Sequence, residues 1–177
     1  LMLGDKPIDI NDLQEIWEPL TMSEKRYTLF PIRYHNLFDM YKKATASFWT
    51  AEEIDFKEDY DDWVSLNKDE QFFLSRILAF FAGSDGVVME NLLTNFTKDV
   101  VVPEAQLFYS YQAYSEAVHS ETYSLLIDTY IKDYNEKLDL LNAIQTIPTV
   151  GAKAEWAQKW LSPDAPFAER LLAFACV

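Results

Sequence analysis

The stretch PEAQLFYSYQAYSEAVHSETYSLLIDTY, Pro103 to Tyr130, decides how the rest of the chain is interpreted. Proline is favoured at the first position of a helix, so a single helix is predicted to begin at Pro103. At the helical period, Glu116, His119 and Tyr123 fall within about 60° of one another, on one face. A carboxylate, an imidazole and a phenol on an inward face are costly unless they are paired, and a metal ion beside a tyrosine would explain all three. The same face carries four further residues: Tyr109, Gln112, Ile127 and Tyr130.

The unit Glu116-x-x-His119 spans one helical turn, so both side chains can reach one metal ion. Glu-x-x-His units are typical of di-iron carboxylate helix bundles. The pair alone is a weak signal, because most such pairs are solvated or simply hydrogen-bonded. The apolar and aromatic flanks, and Tyr123 one turn beyond His119, favour the metal interpretation. Carboxylate oxygens with imidazole suit iron or manganese better than structural zinc, which prefers sulfur.

Asp85 is the second candidate ligand, on another apolar stretch of the chain. A buried carboxylate without a partner would be neutralised or strongly destabilising. Two interpretations stay open from the residues alone. Asp85 either hydrogen-bonds a tyrosine or an arginine across the bundle, or it is a metal ligand that faces Glu116 and His119 from a neighbouring helix. Its one-turn neighbours are all apolar: Phe81, Ala82, Val88 and Met89.

The composition indicates one well-filled, mostly helical domain: 177 residues, 49% apolar and 15% aromatic, with 4 Gly. A net charge of −14 argues against nucleic acid as a partner. The one cysteine, Cys176, favours a reducing compartment and is interpreted as a buried small residue. The N-terminus has no signal-peptide pattern, and the longest apolar run, Ile77 to Gly83, is too short to cross a bilayer. A cytoplasmic protein with no membrane partner is therefore expected.

Helical spacing along the whole chain predicts an all-α fold without a strand pair. The centre is a long helix from Asp69 to about Lys98, apolar nearly all round. Gly83, Ser84 and Gly86 interrupt its apolar pattern, and a neighbour is expected to approach the backbone closely there. Long antiparallel helices with apolar faces are the parts of a helix bundle. Further elements are predicted as follows: a turn from Asn11 to Trp17, a helical segment after Pro31 through Ala44, a capping box at Thr50 and Glu53, and helices over Asp61–Leu66, Glu136–Ile147, Thr149–Leu161 with Trp156 and Trp160 inward, and from Pro166 onward.

Five blocks of sequence point to a known family: WTAEEID, ILAFFAGSDGVVMENL, VPEAQLFY, EAVHSETYSLLIDTYIKD and RLLAFACV. They resemble the radical-generating small subunit of class I ribonucleotide reductase, in its eukaryotic-like branch, from about Phe30 to Val177. The resemblance implies a ferritin-like helix bundle. Residues 1–177 would form the N-terminal part of a single di-iron domain, and residues 1–30 would be an extended or partly ordered segment.

The resemblance also implies a role for each candidate residue. Asp85 matches the first iron ligand, Glu116 a carboxylate that bridges two irons, and His119 the histidine on the same iron as Asp85. Tyr123 matches the tyrosine that is oxidised to a stable radical. Trp49 matches the tryptophan that supplies an electron during cofactor assembly and lies on the proposed radical-transfer route. The implied cofactor is a pair of iron ions, with manganese–iron as the alternative.

The resemblance implies two partners: a second copy of the chain in a homodimer, and a large catalytic subunit that reduces ribonucleoside diphosphates. In the family, RLLAFACV is followed by a glutamate ligand and, later, by a second Glu-x-x-His unit. Neither is present before Val177, so the remaining ligands are expected from the missing C-terminal half of a longer protein or from a complementing C-terminal fragment. Two alternatives stay open: a related manganese–iron oxidase that forms no tyrosyl radical, and a non-catalytic half-bundle that complements a second chain.

Overall fold

The computed structural model describes residues 2–3, 6–7, 25–162 and 164–176. Strands β1 (Met2–Leu3) and β2 (Lys6–Pro7) form a two-residue antiparallel ladder that the sequence did not predict. The predicted turn from Asn11 to Trp17 and most of the predicted extended segment 1–30 lie outside the described residues. Everything described beyond residue 34 is helical or connects helices, so the predicted all-α class is confirmed.

The helices follow one another with short connections. In chain order they are α1 (His35–Thr45), a 3₁₀ turn (Ala51–Glu53), α2 (Asp59–Ser65), α3 (Lys68–Asp99), α4 (Pro103–Tyr130), α5 (Tyr134–Leu141), α6 (Ala143–Thr146), α7 (Pro148–Lys159) and α8 (Phe167–Phe174).

Helix α3 begins at a reciprocal cap. The side chain of Asn67 accepts hydrogen bonds from the amide of Glu70 at 3.0 Å, and Glu70 accepts one from the amide of Asn67 at 2.9 Å. The helix is continuous through Gly83 and Gly86, so the predicted long helix is confirmed. The predicted close approach is present at Gly83, where an added Cβ would lie 3.1 Å from Cγ1 of Ile144. At Gly86 that prediction is wrong, since an added Cβ would meet no described atom within 4 Å. Near its end the helix widens into a π turn, Leu92–Phe96.

Helices α3 and α4 pack along each other in antiparallel orientation, joined by an extended connection whose Val100 and Val102 are buried. Phe81 stacks on Tyr123 with ring centroids 5.2 Å apart, and Phe96 stacks on Tyr109 at 5.7 Å. These pairs fix the register of the two helices. The turn of α3 that carries Asp85 therefore lies between them, opposite the turn of α4 that carries Glu116 and His119.

Helix α1 lies along α4 in the parallel direction. Tyr34 contacts Glu104, the ring of Tyr41 meets Tyr111 edge-on at 6.5 Å, and Trp49 stacks on His119. The two residues of each pair are 70 positions apart in the sequence. The alignment of this segment with α4 is therefore the same from Tyr34, just before α1, to Trp49, just after it. This packing brings the segment after α1 to the middle of α4.

The remaining helices close the far side of α3. The helix predicted over Glu136–Ile147 is divided at Asn142, whose side chain donates to the Leu138 carbonyl at 2.8 Å while the backbone leaves helical geometry (φ −104°, ψ 29°). Helix α8 is held to the end of α3 by an ion pair between Arg170 and Asp99, 2.6 Å long. Two burial predictions are wrong: Trp156 is 44% exposed, and Cys176 is exposed.

Helix α3 is long and apolar enough to cross a membrane by length and composition alone. A core helix of a bundle passes the same test, and α3 packs along α4. It also buries three polar side chains, those of Ser75, Asp85 and Asn91. Buried polar groups of this kind suit the interior of a protein bundle better than contact with lipid.

Candidate metal centre

The candidate metal centre is formed by one residue of α3 and two of α4. Asp85, Glu116 and His119 each offer a ligand atom, and these atoms all lie within 4.8 Å of one another. The one-turn spacing of Glu116 and His119 places both on the face of α4 that packs against α3. The antiparallel register then brings Asp85 to the same point. The three predicted ligands are thus brought together, although Glu116 follows Asp85 by 31 residues in the sequence.

The surroundings of Asp85 favour a bound cation at this site. Its side chain is 9% exposed, and its Oδ2 atom is buried without a hydrogen-bond partner among the described residues. Burial and the negative charge of Glu116 together raise the pKa of Asp85 to about 6, against a smaller opposing effect of His119. An orphaned buried carboxylate beside a second carboxylate is costly, and a bound cation would relieve both the desolvation and the repulsion.

Glu116 and His119 complete the donor group from α4. The Nδ1 atom of His119 lies 3.3 Å from Oε2 of Glu116. The Glu116 side chain is 14% exposed and that of His119 is 39% exposed, so the group has an open side. Two carboxylates and one imidazole form a donor set that fits iron or manganese. Three protein donors leave further coordination positions on such an ion free for other ligands.

Tyr123 lies one turn beyond His119 on the same face of α4. Its ring stacks on Phe81 of α3, with an interplanar angle of 18°. Burial raises the pKa of the Tyr123 hydroxyl, and the charges of Asp85 and Glu116 raise it further, so the phenol is kept protonated. From the sequence alone, Phe81 was expected only to be an apolar neighbour of Asp85. Its contact with Tyr123 follows from the antiparallel register, which single-helix spacing does not reveal.

Trp49 approaches the centre from outside the α3–α4 pair. Its indole stacks on the His119 imidazole with ring centroids 5.7 Å apart and planes inclined by 29°. The residue before it, Phe48, stacks on Tyr114 at 5.8 Å. The predicted capping box follows directly, since the Thr50 amide donates to Oε1 of Glu53 at 3.1 Å. Trp49 is therefore held between two fixed contacts.

All five residues singled out from the sequence lie in this one region. Asp85, Glu116 and His119 form the donor group, Tyr123 lies one turn away along α4, and Trp49 covers the His119 ring. Their roles as ligands, radical site and electron donor remain predictions.

The fold and the site together define a ferritin-like helix bundle with a candidate carboxylate–histidine metal centre. The family model described as "Ribonucleotide reductase, small chain" matches residues 26–177. The chain belongs to the ribonucleotide reductase small-chain family.

Individual relatives agree with this assignment. Ribonucleoside-diphosphate reductase small chain 1 of Saccharomyces cerevisiae is 58% identical over 163 residues, which are 90% of this chain and 41% of the yeast protein. The structure is similar to that of the ribonucleotide reductase Rnr4 homodimer from Saccharomyces cerevisiae, with a TM-score of 0.78 and 36% identity over 92% of this chain and 52% of that one. Dimanganese(II)-NrdF of Streptococcus sanguinis shares the fold, with a TM-score of 0.75 and 21% identity over 85% and 53% of the two chains. The chain thus spans about half the length of its relatives.

Proposed function

We propose that this chain carries part of the radical-generating centre of a ribonucleotide reductase small subunit. In this proposal, Asp85, Glu116 and His119 bind a di-metal cofactor, and Tyr123 holds a stable radical. A large subunit uses that radical to reduce ribonucleoside diphosphates to deoxyribonucleotides. The bound cofactor would supply the means to oxidise Tyr123 with O₂, and the donor set suits both two irons and manganese–iron.

The position of Tyr123 is the observation that carries the proposal. Its phenol lies one turn from His119, on the same face of α4 as the donor group, and its ring is covered by Phe81. Burial and the nearby carboxylates keep its proton in place at neutral pH, since both raise its pKa. A tyrosyl radical persists only where water and reductants are kept away, and the apolar contact with α3 favours this.

The proposal also assigns partners and a compartment. A homodimer is proposed because the structurally similar yeast protein was solved as one. The remaining ligands would come from residues other than those of this chain, in a continuous gene product or in a complementing fragment. The cytoplasm is proposed as the compartment, since the one cysteine is free and exposed.

Electron paramagnetic resonance tests the proposal in the complete gene product. The metal-free protein is loaded with Fe(II), exposed to O₂ and frozen. We expect a tyrosyl signal in the wild type and its loss in Tyr123→Phe. Tyr130→Phe is the matched control on the same helix, because the Tyr130 hydroxyl bonds Asp59 at 3.0 Å, away from the centre. A signal that survives in Tyr123→Phe, or a protein that binds metal but forms no radical, would overturn the proposal, the latter in favour of a related oxidase.

A further inference from the structure

Glu104 lies in the first turn of α4, far from the candidate metal centre, and its side chain is fully buried. Both carboxylate oxygens accept from the guanidinium of Arg26, each at 2.6 Å. One oxygen also accepts from the Arg33 amide at 2.7 Å and lies 3.5 Å from the Tyr34 amide. A buried carboxylate with this many donors makes a directional contact that cannot shift without losing several hydrogen bonds.

The same carboxylate lies at the N-termini of two parallel helices. It belongs to the first turn of α4, and the amides that it accepts from directly precede α1. Helix N-termini are positively polarised, and two parallel helices place these ends side by side, where they repel each other. The first turn of α1 holds no carboxylate of its own, and the Tyr34 side chain does not cap it. Glu104 therefore places one carboxylate at both helix ends, where it accepts from the amides before α1.

Helix α1 packs on α4 through side chains that are only partly buried, such as Leu37 against the cluster of Val100, Val102 and Ala105. None of its residues is fully buried against the described part of the chain. Half-buried aromatic and aliphatic contacts, such as that of Tyr41 with Tyr111, stabilise a helix on its neighbour without preventing small shifts along it. The bonds of Glu104 set where α1 begins relative to α4. The constant separation of 70 residues then places Trp49 beside His119 at the other end.

We propose that Glu104 is a positioning residue that sets the register of α1 on α4 and thereby holds the indole of Trp49 against His119. Arg26 and the amides of Arg33 and Tyr34 are its partners in this role. This positioning exists before any metal binds, so it can be tested separately from the proposed radical chemistry. In this role the buried ion pair affects the position of Trp49, at the opposite end of α1, as well as the stability of the protein.

Fluorine NMR of the metal-free complete gene product tests this positioning. The protein is labelled with 5-fluorotryptophan, and the Trp49 resonance is assigned by its loss in Trp49→Phe. We expect Glu104→Gln to move this resonance toward its position in urea-unfolded protein, because an amide in place of the carboxylate turns donors toward Arg26 and the two backbone amides. Arg26→Met should move it in the same direction, and it provides the test if Glu104→Gln does not fold.

Asp99→Asn is the matched control, since it removes a carboxylate from a second ion pair, the one that holds α8 through Arg170. That variant should lose stability but leave the Trp49 resonance in place. Arg26→Lys, which keeps the charge, should restore part of the native position. An unmoved Trp49 resonance in Glu104→Gln, or an equal movement in Asp99→Asn, would show that Glu104 acts on stability alone and would overturn the inference.

Discussion

The indole of Trp49 covers the imidazole of His119, ring on ring, at a centroid distance of 5.7 Å. His119 is at the same time within 3.3 Å of the Glu116 carboxylate. A ring that can donate an electron is thus stacked directly on a predicted metal ligand. Among the described tryptophans, Trp49 is the one whose ring stacks on a residue of the donor group.

Replacement of this indole should therefore impair electron transfer without affecting metal binding. We expect Trp49→Phe to lower deoxyribonucleotide formation with the large subunit at least about tenfold, roughly 1.4 kcal/mol in the barrier. Trp156→Phe, at an exposed position on α7, serves as the control and should leave turnover unchanged. Turnover assays with metal content measured in parallel check this, and full activity in Trp49→Phe contradicts the proposed route.

Asp85→Asn should have opposite effects on the metal-free and the metal-loaded protein. Without metal, the substitution removes a buried, unpaired negative charge next to Glu116, so we expect it to raise the free energy of unfolding by about 1 kcal/mol. With metal, it removes a ligand, so the rise in melting temperature on adding Fe(II) or Mn(II) should shrink or vanish.

Thermal unfolding with and without each ion measures both effects. Glu90→Gln is the control for the change of charge on α3, because Glu90 is exposed and lies five residues further along the same helix. If Asp85→Asn destabilises the metal-free protein and leaves the metal-induced shift intact, Asp85 serves as a structural hydrogen-bonding group instead.

The ion pair of Glu104 predicts how stability depends on pH. Burial alone would raise the pKa of Glu104, but the hydrogen bonds from Arg26 and from the Arg33 and Tyr34 amides outweigh it and lower the pKa to about 2. A carboxyl whose pKa falls on folding stabilises the protein above its unfolded pKa of 4.5, and this contribution is lost as pH falls from 4.5 toward 2. After allowance for solvent screening, it amounts to about 1–2 kcal/mol at neutral pH.

The stability difference between wild type and Glu104→Gln should accordingly be largest at neutral pH and should narrow below pH 4.5. Urea unfolding at a series of pH values measures it. If the difference stays constant as the pH falls to about 2, the charge of Glu104 contributes nothing to stability.

At Gly151, the addition of a single methyl group should lower the stability of the protein. An added Cβ would lie 2.7 Å from the backbone carbonyl oxygen of Ile144, which cannot move without disturbing α6. We expect Gly151→Ala to destabilise the protein by about 1–3 kcal/mol, although alanine is the better helix former by about 1 kcal/mol. Gly86→Ala, where the added Cβ would meet nothing within 4 Å, should have no such cost. Equal melting temperatures for the two variants would contradict this reasoning.

Features of the bundle that depend on strong local sequence signals were predictable. The start of α4 follows from Pro103 and an unbroken helical pattern, although its end was expected near Asp133 and lies at Tyr130. One-turn spacing and the apolar neighbours of Asp85 made the donor group a candidate, with hydrogen bonding as the open alternative for Asp85. The break at Asn142 was not predictable, because asparagine is tolerated inside helices and only the local backbone geometry shows that it ends one here.

Other features depend on contacts that no local pattern encodes. Arg26 meets Glu104 across 78 residues, and neither residue stands out in its own segment. Trp156 was predicted to face inward because tryptophan is usually buried, yet the side of α7 that carries it is not covered by the described residues. Such pairings require knowledge of which helices become neighbours, and that information is distributed over the whole chain.

The shallow packing of α1 has a consequence for hydrogen exchange. Segments with few buried contacts open locally at a lower free energy than the global unfolding of a protein. The backbone amides of α1 should therefore exchange with solvent sooner than those of α3 and α4, as a separate cooperative unit. Since Trp49 follows α1 in the chain, each such opening would briefly separate the indole from the His119 ring, so the motion of this one helix would set how long the two rings stay stacked.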